Sequence, residues 1–286
     1  MHVHTYPDAE SYLRTVGPIL AAHEAENSLM LGVIERVRGG FRYGEESPLL
    51  LAVEDETRTV LLATRTPPFP LLLVAATERA PDAVVEVARH LAAIDHHPSS
   101  AQGITDIVEA FANAWAKEAS VSYTVSMHQR LYRVMEVIPP NAVSGAFRWA
   151  EPGDVGTFVP WVEAFAGEAL PAEPALNAEL LLRRHVEADV PSLAVWMDGG
   201  KPVSMAASTR PTASGVSIGL VYTPPPFRGR GYASGCVAEL SRRLLSSGKR
   251  FCTLFTDLSN PTSNRLYQRI GYQAVADFHE IRFASS

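Results

Sequence analysis

The sequence has few cysteines, no long apolar run and no excess of positive charge. Its two cysteines, Cys236 and Cys252, lack the spacing of a metal or redox motif, so we expect a reducing, cytoplasmic environment. No stretch has the unbroken apolar length of a membrane-spanning helix, and the opening MHVHTYPDAESYL lacks the order of a signal peptide. There are 31 acidic and 25 basic side chains, giving a net charge of −6. We therefore expect neither a membrane span nor a nucleic-acid partner.

The nine histidines also lack a metal-binding pattern. His2 and His4 stand in an N-terminal segment that we expect to be flexible, and His96 and His97 stand in a polar stretch before Pro98. No two histidines have the spacing of a helical metal-binding pair with a carboxylate nearby. The sequence therefore predicts no metal site.

What the sequence does contain is enough apolar material for a substantial core. Of its 286 residues, 47% are hydrophobic, and this length is compatible with one or two domains. Near the middle, the segment MEVIPPNAVSG shows little periodicity and contains a Pro-Pro pair, which is typical of a linker. The predicted organisation is a domain over residues 1–135, a linker over 136–144 and a second domain over 145–286.

The two halves show similar patterns. In the C-terminal half, apolar periodicity and turn residues predict a strand, two helices, three strands, then a helix, strand, helix and strand. The N-terminal half repeats this order loosely, and its Thr66-Pro67-Pro68-Phe69 resembles part of a TPPPF segment that begins at Thr223. These similarities favour an internal duplication of an α/β unit.

The most informative segment is GVSIGLVYTPPPFRGRGYASGCVAEL, residues 215–240. Three prolines end an apolar strand, because proline cannot donate to a strand ladder. Gly229 and Gly231 permit backbone conformations that a side chain would block, and an amphipathic helix follows. The loop therefore presents backbone N–H groups at a helix N-terminus, a geometry that binds phosphate. Arg228 and Arg230 add charge suited to an anionic partner or a nearby carboxylate, whereas a plain solvated turn would explain only the glycines.

At these residues the chain resembles the GNAT superfamily of N-acetyltransferases. Arg228, Gly231 and Ala233 match its Arg/Gln-x-x-Gly-x-Gly/Ala pattern. A second segment, NPTSNRLYQRIGY, resembles the family's Asn-x-x-Ala-x-x-x-Tyr…Gly-Phe/Tyr pattern, although Ser263 stands where alanine is usual. The resemblance is clear in the C-terminal half and rests on element order in the first. The whole pattern is similar to bacterial tandem-GNAT proteins.

The resemblance implies both a fold and a co-substrate. Each half would be a GNAT-like domain with a mixed, mostly antiparallel twisted sheet flanked by helices, and the first half would be a degenerate copy without cofactor. Acetyl-CoA would bind with its pyrophosphate on the loop amides and its pantetheine arm along the end of the preceding strand. The residues assigned to this binding are Val221, Tyr222, Thr223, Arg228, Gly229, Arg230, Gly231, Tyr232, Ala233, Ser234, Asn260 and Asn264.

The same resemblance makes Tyr267 the general acid that protonates the departing thiolate. A free tyrosine, with a pKa of about 10, is a weaker acid than a thiol at about 8.5, so this transfer depends on positioning. The alternative is that Tyr267 is a packed aromatic residue. Asn260 also suits the N-cap of a helix beginning at Pro261. Backbone N–H groups near Val221 are candidates for stabilising the oxyanion.

The general base and the acceptor site are not specified by the sequence. Trp161 and Phe165 suit either an acceptor site or the core. The acidic residues considered as bases are Glu163, Glu168, Glu173, Glu179, Asp257 and Glu280.

The leading hypothesis is an acetyl-CoA-dependent N-acetyltransferase that acts on the amine of a small molecule. Two alternatives stay open, namely a GNAT-fold transferase with another acyl donor and a non-catalytic acyl-CoA-binding or regulatory protein. The sequence specifies neither the acceptor nor the oligomeric state.

Overall fold

The computed structural model describes residues 1–56, 58–169 and 177–284. These residues form two compact units. The first unit consists of Met1–Leu131, Thr256–Ser259 and the chain from Val275 onward. The second unit consists of Tyr132–Phe255 and Asn260–Ala274.

The first unit is a sheet with helices packed on both faces. Its elements are β1 (His2–Thr5), α1 (Ala9–Ala22), α2 (Ser28–Arg38), β2 (Leu49–Glu54), β3 (Thr59–Arg65), β4 (Leu71–Ala75), α3 (Ala80–Ala93), β5 (Ser100–Ile104), α4 (Thr105–Glu118), most of β6 (Tyr123–Val134) and most of β12 (Gln273–Phe283). The strand order is β1-β2-β3-β4-β5-β12-β6, in which β4 and β5 are parallel and β5 and β12 antiparallel. Neighbouring residues of β2 enter different apolar clusters, Leu50 with α1 and α2, and Leu51 with α3 and α4.

The second unit has the same plan. Its elements are β7 (Ala146–Trp149), α5 (Val155–Ala169), α6 (Ala178–Val186), β8 (Leu193–Asp198), β9 (Lys201–Thr209), β10 (Gly215–Tyr222), α7 (Tyr232–Ser246), β11 (Phe251–Asp257) and α8 (Pro261–Arg269). The strand order is β7-β8-β9-β10-β11, with only β10 and β11 parallel among these neighbours. One apolar cluster packs α7 and α8 on the sheet, and another packs α5 and α6.

The observed elements confirm the predicted fold class and the predicted order in the C-terminal half. The N-terminal half has the same ten elements in the same order, so the repetition is stricter than the sequence pattern indicated. Three of its elements, β1, β5 and α4, were not predicted. The N-terminal segment is not flexible, because His2 and His4 lie in β1, which pairs with β2.

Two other sequence interpretations change in the structure. The Thr-Pro-Pro segments are not equivalent, because Thr66 follows β3 whereas Thr223 follows β10, the counterpart of β4. The segment 136–144 counts with the second unit although most of its residues are exposed, and its Ile138 N–H donates to the Ile270 carbonyl at 3.1 Å. The compact units therefore divide the chain differently from the predicted domains, and the strand after Val275 counts with the first unit.

Among the described residues, no helix combines the length and the apolar character needed to cross a membrane. Both cysteines are buried, and burial raises the pKa of Cys252 to about 12. A thiol of this kind is protonated and unreactive at neutral pH.

Candidate functional site

The site begins where β10 separates from β11. The two strands pair over only three residues, ending with Ser217 opposite Thr253. Toward β9, β10 carries one extra residue between Gly219 and Tyr222, and Leu220 within this bulge has a φ of 51°. Bulges bend a strand and re-aim its edge. As a result, the end of β10 has no strand paired beside it on the β11 side, as far as the described chain shows.

Hydrogen bonds of two hydroxyl groups fix the backbone where the chain leaves β10. Ser204, fully buried on β9, donates to the Tyr222 carbonyl at 3.1 Å. The Thr223 hydroxyl in turn donates to Ser204 Oγ at 2.9 Å. Sequence reasoning missed Ser204, because a single serine within a strand carries no motif. These bonds hold Tyr222 and Thr223, two of the predicted contact residues, in a defined position before the loop.

The loop after β10 presents a run of backbone N–H groups without acceptors. A 3₁₀ turn at Pro225–Phe227 ends in Arg228, and the first hydrogen bond of α7 runs from the Gly235 N–H to the Gly231 carbonyl at 3.0 Å. Between these points, the N–H groups of residues 229–234 have no acceptor among the described residues. Positive φ values of 77° at Gly229 and 83° at Gly231 turn the backbone into this shape. This is an anion-binding geometry at a helix N-terminus.

The space around the loop differs between its two glycines. A Cβ added at Gly229 would meet no atom within 4 Å, so this position faces open space. A Cβ at Gly231 would lie 3.2 Å from Val143 Cγ2, so this glycine is closely packed. The Tyr232 side chain is buried and donates to Asp198, which leaves only its backbone for a ligand. For Gly229, Gly231 and Tyr232, the predicted cofactor contacts would therefore be made by the backbone.

The two arginines of the loop have different surroundings. Arg228 Nε donates to the Thr223 carbonyl at 2.8 Å, and its Nη2 contacts both carboxylate oxygens of Glu168 on α5 at 2.7 and 2.9 Å. The Tyr222 hydroxyl also donates to Glu168, at 3.4 Å, and its ring lies under the Arg228 guanidinium. Arg230 is exposed and has no hydrogen-bond or ion-pair partner in the described parts of the chain.

The second predicted segment forms α8. Asn260 is its N-cap and accepts from the Ser263 N–H at 3.1 Å, as the capping alternative predicted. Asn264 Nδ2 donates to the Asn260 carbonyl at 2.8 Å, and its Oδ1 accepts from the Tyr132 hydroxyl at 3.0 Å. These polar groups are engaged within the protein, and a cofactor contact by either asparagine stays a prediction.

Tyr267 lies near the end of α8 with only 7% of its surface exposed. Its ring contacts that of Tyr272 at a centroid distance of 5.9 Å. Burial raises the pKa of Tyr267, so its hydroxyl stays protonated at neutral pH. Within the described residues this hydroxyl makes no hydrogen bond, although that of Tyr272 is bonded to Ser241 at 2.8 Å. A protonated, unengaged hydroxyl is what a proton donor requires.

The acidic candidates for a general base are mostly engaged elsewhere. Glu168 is bound to Arg228, and Glu179 is paired with Arg183 on α6. Asp257 and Glu280 belong to the first unit, and Glu163 is exposed. Glu173 lies outside the described residues. Trp161 contacts Phe158 and Tyr222 and packs with Phe165 against an apolar cluster, which agrees with the core alternative.

In the first unit, the connection that corresponds to the loop between β10 and α7 is a short turn. Between β4 and α3 there are only four residues, 76–79, none of which is glycine. The Ala76 N–H donates to Val60, the Arg79 N–H to the Thr77 hydroxyl, and the Ala80 N–H to the Thr77 carbonyl. These amides are already used, so this turn offers no site like that of the second unit.

Comparisons with known proteins point to one fold. Residues 198–282 match the family described as FR47-like protein. A GCN5-related N-acetyltransferase from Sphaerobacter thermophilus superposes with a TM-score of 0.61 at 20% identity, over 98% of this chain and 94% of that one. An acetyltransferase of the GNAT family from Colwellia psychrerythraea gives a TM-score of 0.56 at 12% identity, over 99% of both chains.

A third structure, a GCN5-related N-acetyltransferase from Kribbella flavida, gives a TM-score of 0.54 at 18% identity, over 79% of this chain and 87% of that one. No curated protein matches the sequence. These similarities confirm the predicted resemblance: the chain has the fold of the GNAT superfamily of N-acetyltransferases, and its residues 198–282 match the FR47-like family.

Proposed function

We propose that the second unit transfers an acetyl group from acetyl-CoA to the amine of a small molecule. The fold supports acyl transfer in general, and acetyl-CoA is the acyl-CoA that proteins of this fold usually use. The choice of an amine acceptor follows the same resemblance.

One observation carries the proposal, namely the six consecutive N–H groups of residues 229–234 at the start of α7, for which the described part of the chain provides no acceptor. They fit the pyrophosphate of a coenzyme A thioester, because the helix dipole and the N–H groups act on the same anion. Open space beside Gly229 leaves room for that group. The segment from Val221 to Thr223 at the end of β10, which has no described strand beside it on the β11 side, suits the pantetheine arm as an added strand.

The chain's own groups then have distinct roles. Acetyl-CoA supplies an activated thioester when bound. A backbone N–H near Val221 stabilises the oxyanion, a role in which one donor is typically worth about 3 kcal/mol. Tyr267 keeps its proton because it is buried, and it donates a hydrogen bond to the leaving sulfur. The proton that the amine loses accounts for the proton of the released thiol.

The test is calorimetry with acetyl-CoA on wild type and on Gly229→Glu. A carboxylate placed among the free amides should abolish measurable binding. Gly248→Glu is the matched control, because Gly248 also has a positive φ and open space but lies just beyond the other end of α7. Equal affinity in Gly229→Glu and wild type would contradict the proposal.

Thiol release across a panel of amines separates the alternatives. Release with acetyl-CoA and a small amine supports the acetyltransferase. Tight acetyl-CoA binding without release for any amine would indicate a binding or regulatory protein. Release only with a different acyl-CoA would retain the site and change the donor.

A further inference from the structure

Two histidine rings meet within the first unit, and the proposed function does not use them. His128 lies on β6 and His279 on β12, which are neighbouring strands. His128 Nδ1 and His279 Nε2 are 2.8 Å apart. The ring centroids are 4.4 Å apart, and the ring planes differ by 88°.

The hydrogen bond between the two rings is bent. A linear N–H···N bond would separate the centroids by the N···N distance plus the radii of both rings, which is more than 4.4 Å. At least one ring is therefore turned away from the line joining the nitrogens, and bent hydrogen bonds are weak. The two nitrogens lie close together, but the rings do not point straight at each other. Both nitrogens can therefore bind one ion that lies beside the line joining them.

The spacing fits a metal ion. Imidazole nitrogens bind such ions at about 2.0–2.1 Å, and two of them at the right angle of a square-planar or tetragonal Cu²⁺ or Ni²⁺ site lie about 2.9 Å apart, whereas the tetrahedral angle of zinc would place them about 3.3 Å apart. The observed 2.8 Å agrees with the first of these values. Imidazole is a ligand that suits zinc, copper and nickel.

A carboxylate sets the tautomer of one ring. Glu109 Oε1 on α4 lies 2.9 Å from His279 Nδ1. Because an ionised carboxylate only accepts, the proton of neutral His279 resides on Nδ1, and Nε2 presents its lone pair toward His128. A carboxylate on the far nitrogen of a histidine is the usual outer partner of a metal-binding histidine. His128 is exposed. Its Nδ1 can act as a ligand when the ring proton is on Nε2 instead of Nδ1.

Contacts on both sides hold the two strands in place. Arg130 Nε and Nη2 donate to the two carboxylate oxygens of Asp277 at 2.6 and 2.8 Å. The Ser126 hydroxyl donates to the Glu280 carbonyl at 3.1 Å. These bonds keep the histidine rings together before any ion binds. Asp277 is already bound to Arg130 and does not serve as a further ligand. Water would therefore fill the remaining coordination positions.

We propose that His128 Nδ1 and His279 Nε2 bind one divalent first-row transition ion such as Cu²⁺, with Glu109 orienting His279. Across the described chain, no group of three or more His, Cys, Asp and Glu residues could hold a metal, so this is a two-ligand site with open positions. It departs from the expectation of no metal site, which the sequence suggested because the two histidines are 151 positions apart.

The test is titration of chelator-treated, full-length protein with Cu²⁺ in competition with a chromophoric chelator. Wild type should bind one ion at this site, and His128→Ala should lose it. Glu109→Gln should weaken binding by about 10- to 100-fold, as is typical of an outer partner. His23→Ala is the control, because His23 is an exposed histidine at the end of α1, and it should leave the affinity unchanged.

A second measurement reports the ligands directly. The electron paramagnetic resonance spectrum of bound Cu²⁺ should show nitrogen coupling in wild type that is reduced in His128→Ala. If wild type and His128→Ala give the same Cu²⁺ affinity and the same Cu²⁺ spectrum, the rings form only a hydrogen-bonded pair and the proposal is wrong.

Discussion

Arg228 and Arg230 are two residues apart in the same loop, but only Arg230 is available to a ligand in this structure. Arg228 is bound to Glu168 and to the Thr223 carbonyl, so its charge is partly balanced and its guanidinium fixes the exit from β10. This ion pair is half-exposed and contributes little to stability. Arg228 is the arginine of the family pattern, yet in the structure it is paired with a carboxylate. A nearby carboxylate is one of the two kinds of partner expected for the loop arginines.

Arg230→Gln should therefore weaken acetyl-CoA binding by about ten-fold, the effect of losing one charged hydrogen bond. Arg228→Gln should weaken it by less, because that side chain already has acceptors. Calorimetry at two salt concentrations checks both, since loss of Arg230 should also reduce the salt dependence of binding. Equal losses for the two variants would show that Arg228 leaves Glu168 when ligand binds.

Tyr267→Phe should lower turnover by about 100-fold or more, the usual contribution of a positioned acid, while acetyl-CoA affinity changes little. Burial raises the pKa of Tyr267 above its usual value, so the side chain is protonated throughout the neutral range. In wild type, any loss of rate that comes from deprotonating Tyr267 should consequently begin only above about pH 10.

Tyr272→Phe is the control for this prediction. Tyr272 is also buried, but its hydroxyl is bonded to Ser241, so this change should reduce stability more than turnover. Wild-type turnover in Tyr267→Phe would assign Tyr267 to packing alone.

At the scale of elements, β12 is a strand in the sheet of the first unit although it comes late in the sequence. Its residues 278–282 pair with Ile104 to Ser100 of β5 in antiparallel register. Ile281 is fully buried and packs with residues of α3 and α4 in an apolar cluster. The strand is therefore part of the core of the first unit.

Ile281→Ala should lower the free energy of unfolding of the first unit by about 2–5 kcal/mol, the range for truncating a buried isoleucine. Hydrogen exchange of β5 amides should increase accordingly. Gln273→Ala, at the exposed start of the same strand, is the control and should leave β5 exchange unchanged. Unchanged exchange in Ile281→Ala would mean that β5 is held by β4 alone.

The elements that could be predicted are those with a strong local pattern. The loop at Gly229 and the cap at Asn260 carry turn and capping residues, and the structure shows both. β5 could not be predicted, because SAQGI has little β-forming character and is buried only by its neighbours. α4 was missed although Asp106 in its first turn and Glu109 three residues later form a helix start signal; the structure shows no side-chain cap at Ile104.

Contacts between residues far apart in the sequence could not be predicted from local sequence patterns. The ion pair of Arg228 with Glu168 joins residues 60 positions apart, and no spacing rule relates them. Ser204 and the His128–His279 pair belong to the same class. Their positions depend on strand order, which the sequence indicated only as a list of elements.

At the scale of the whole molecule, one plan of ten elements occurs twice with different loops. The second unit has a long Arg-Gly loop before α7, and the first has a four-residue turn, 76–79, in which the Ala76 and Arg79 N–H groups are bonded. The shared plan supports the predicted duplication, and the short turn supports the interpretation that the first unit has lost the anion site. The difference lies in a few loop residues and leaves the sheet of either unit intact.

The position of β12 also has a consequence for biosynthesis. The ribosome makes β1 to β6 first, but the strand that lies between β5 and β6 is made about 150 residues later, a delay of roughly ten to thirty seconds at usual translation rates. Until then, the nascent first unit has two strand edges without their partner, and such edges readily pair with other chains. Cotranslational folding of this unit is therefore expected to depend on chaperones more than that of a unit whose strands are consecutive.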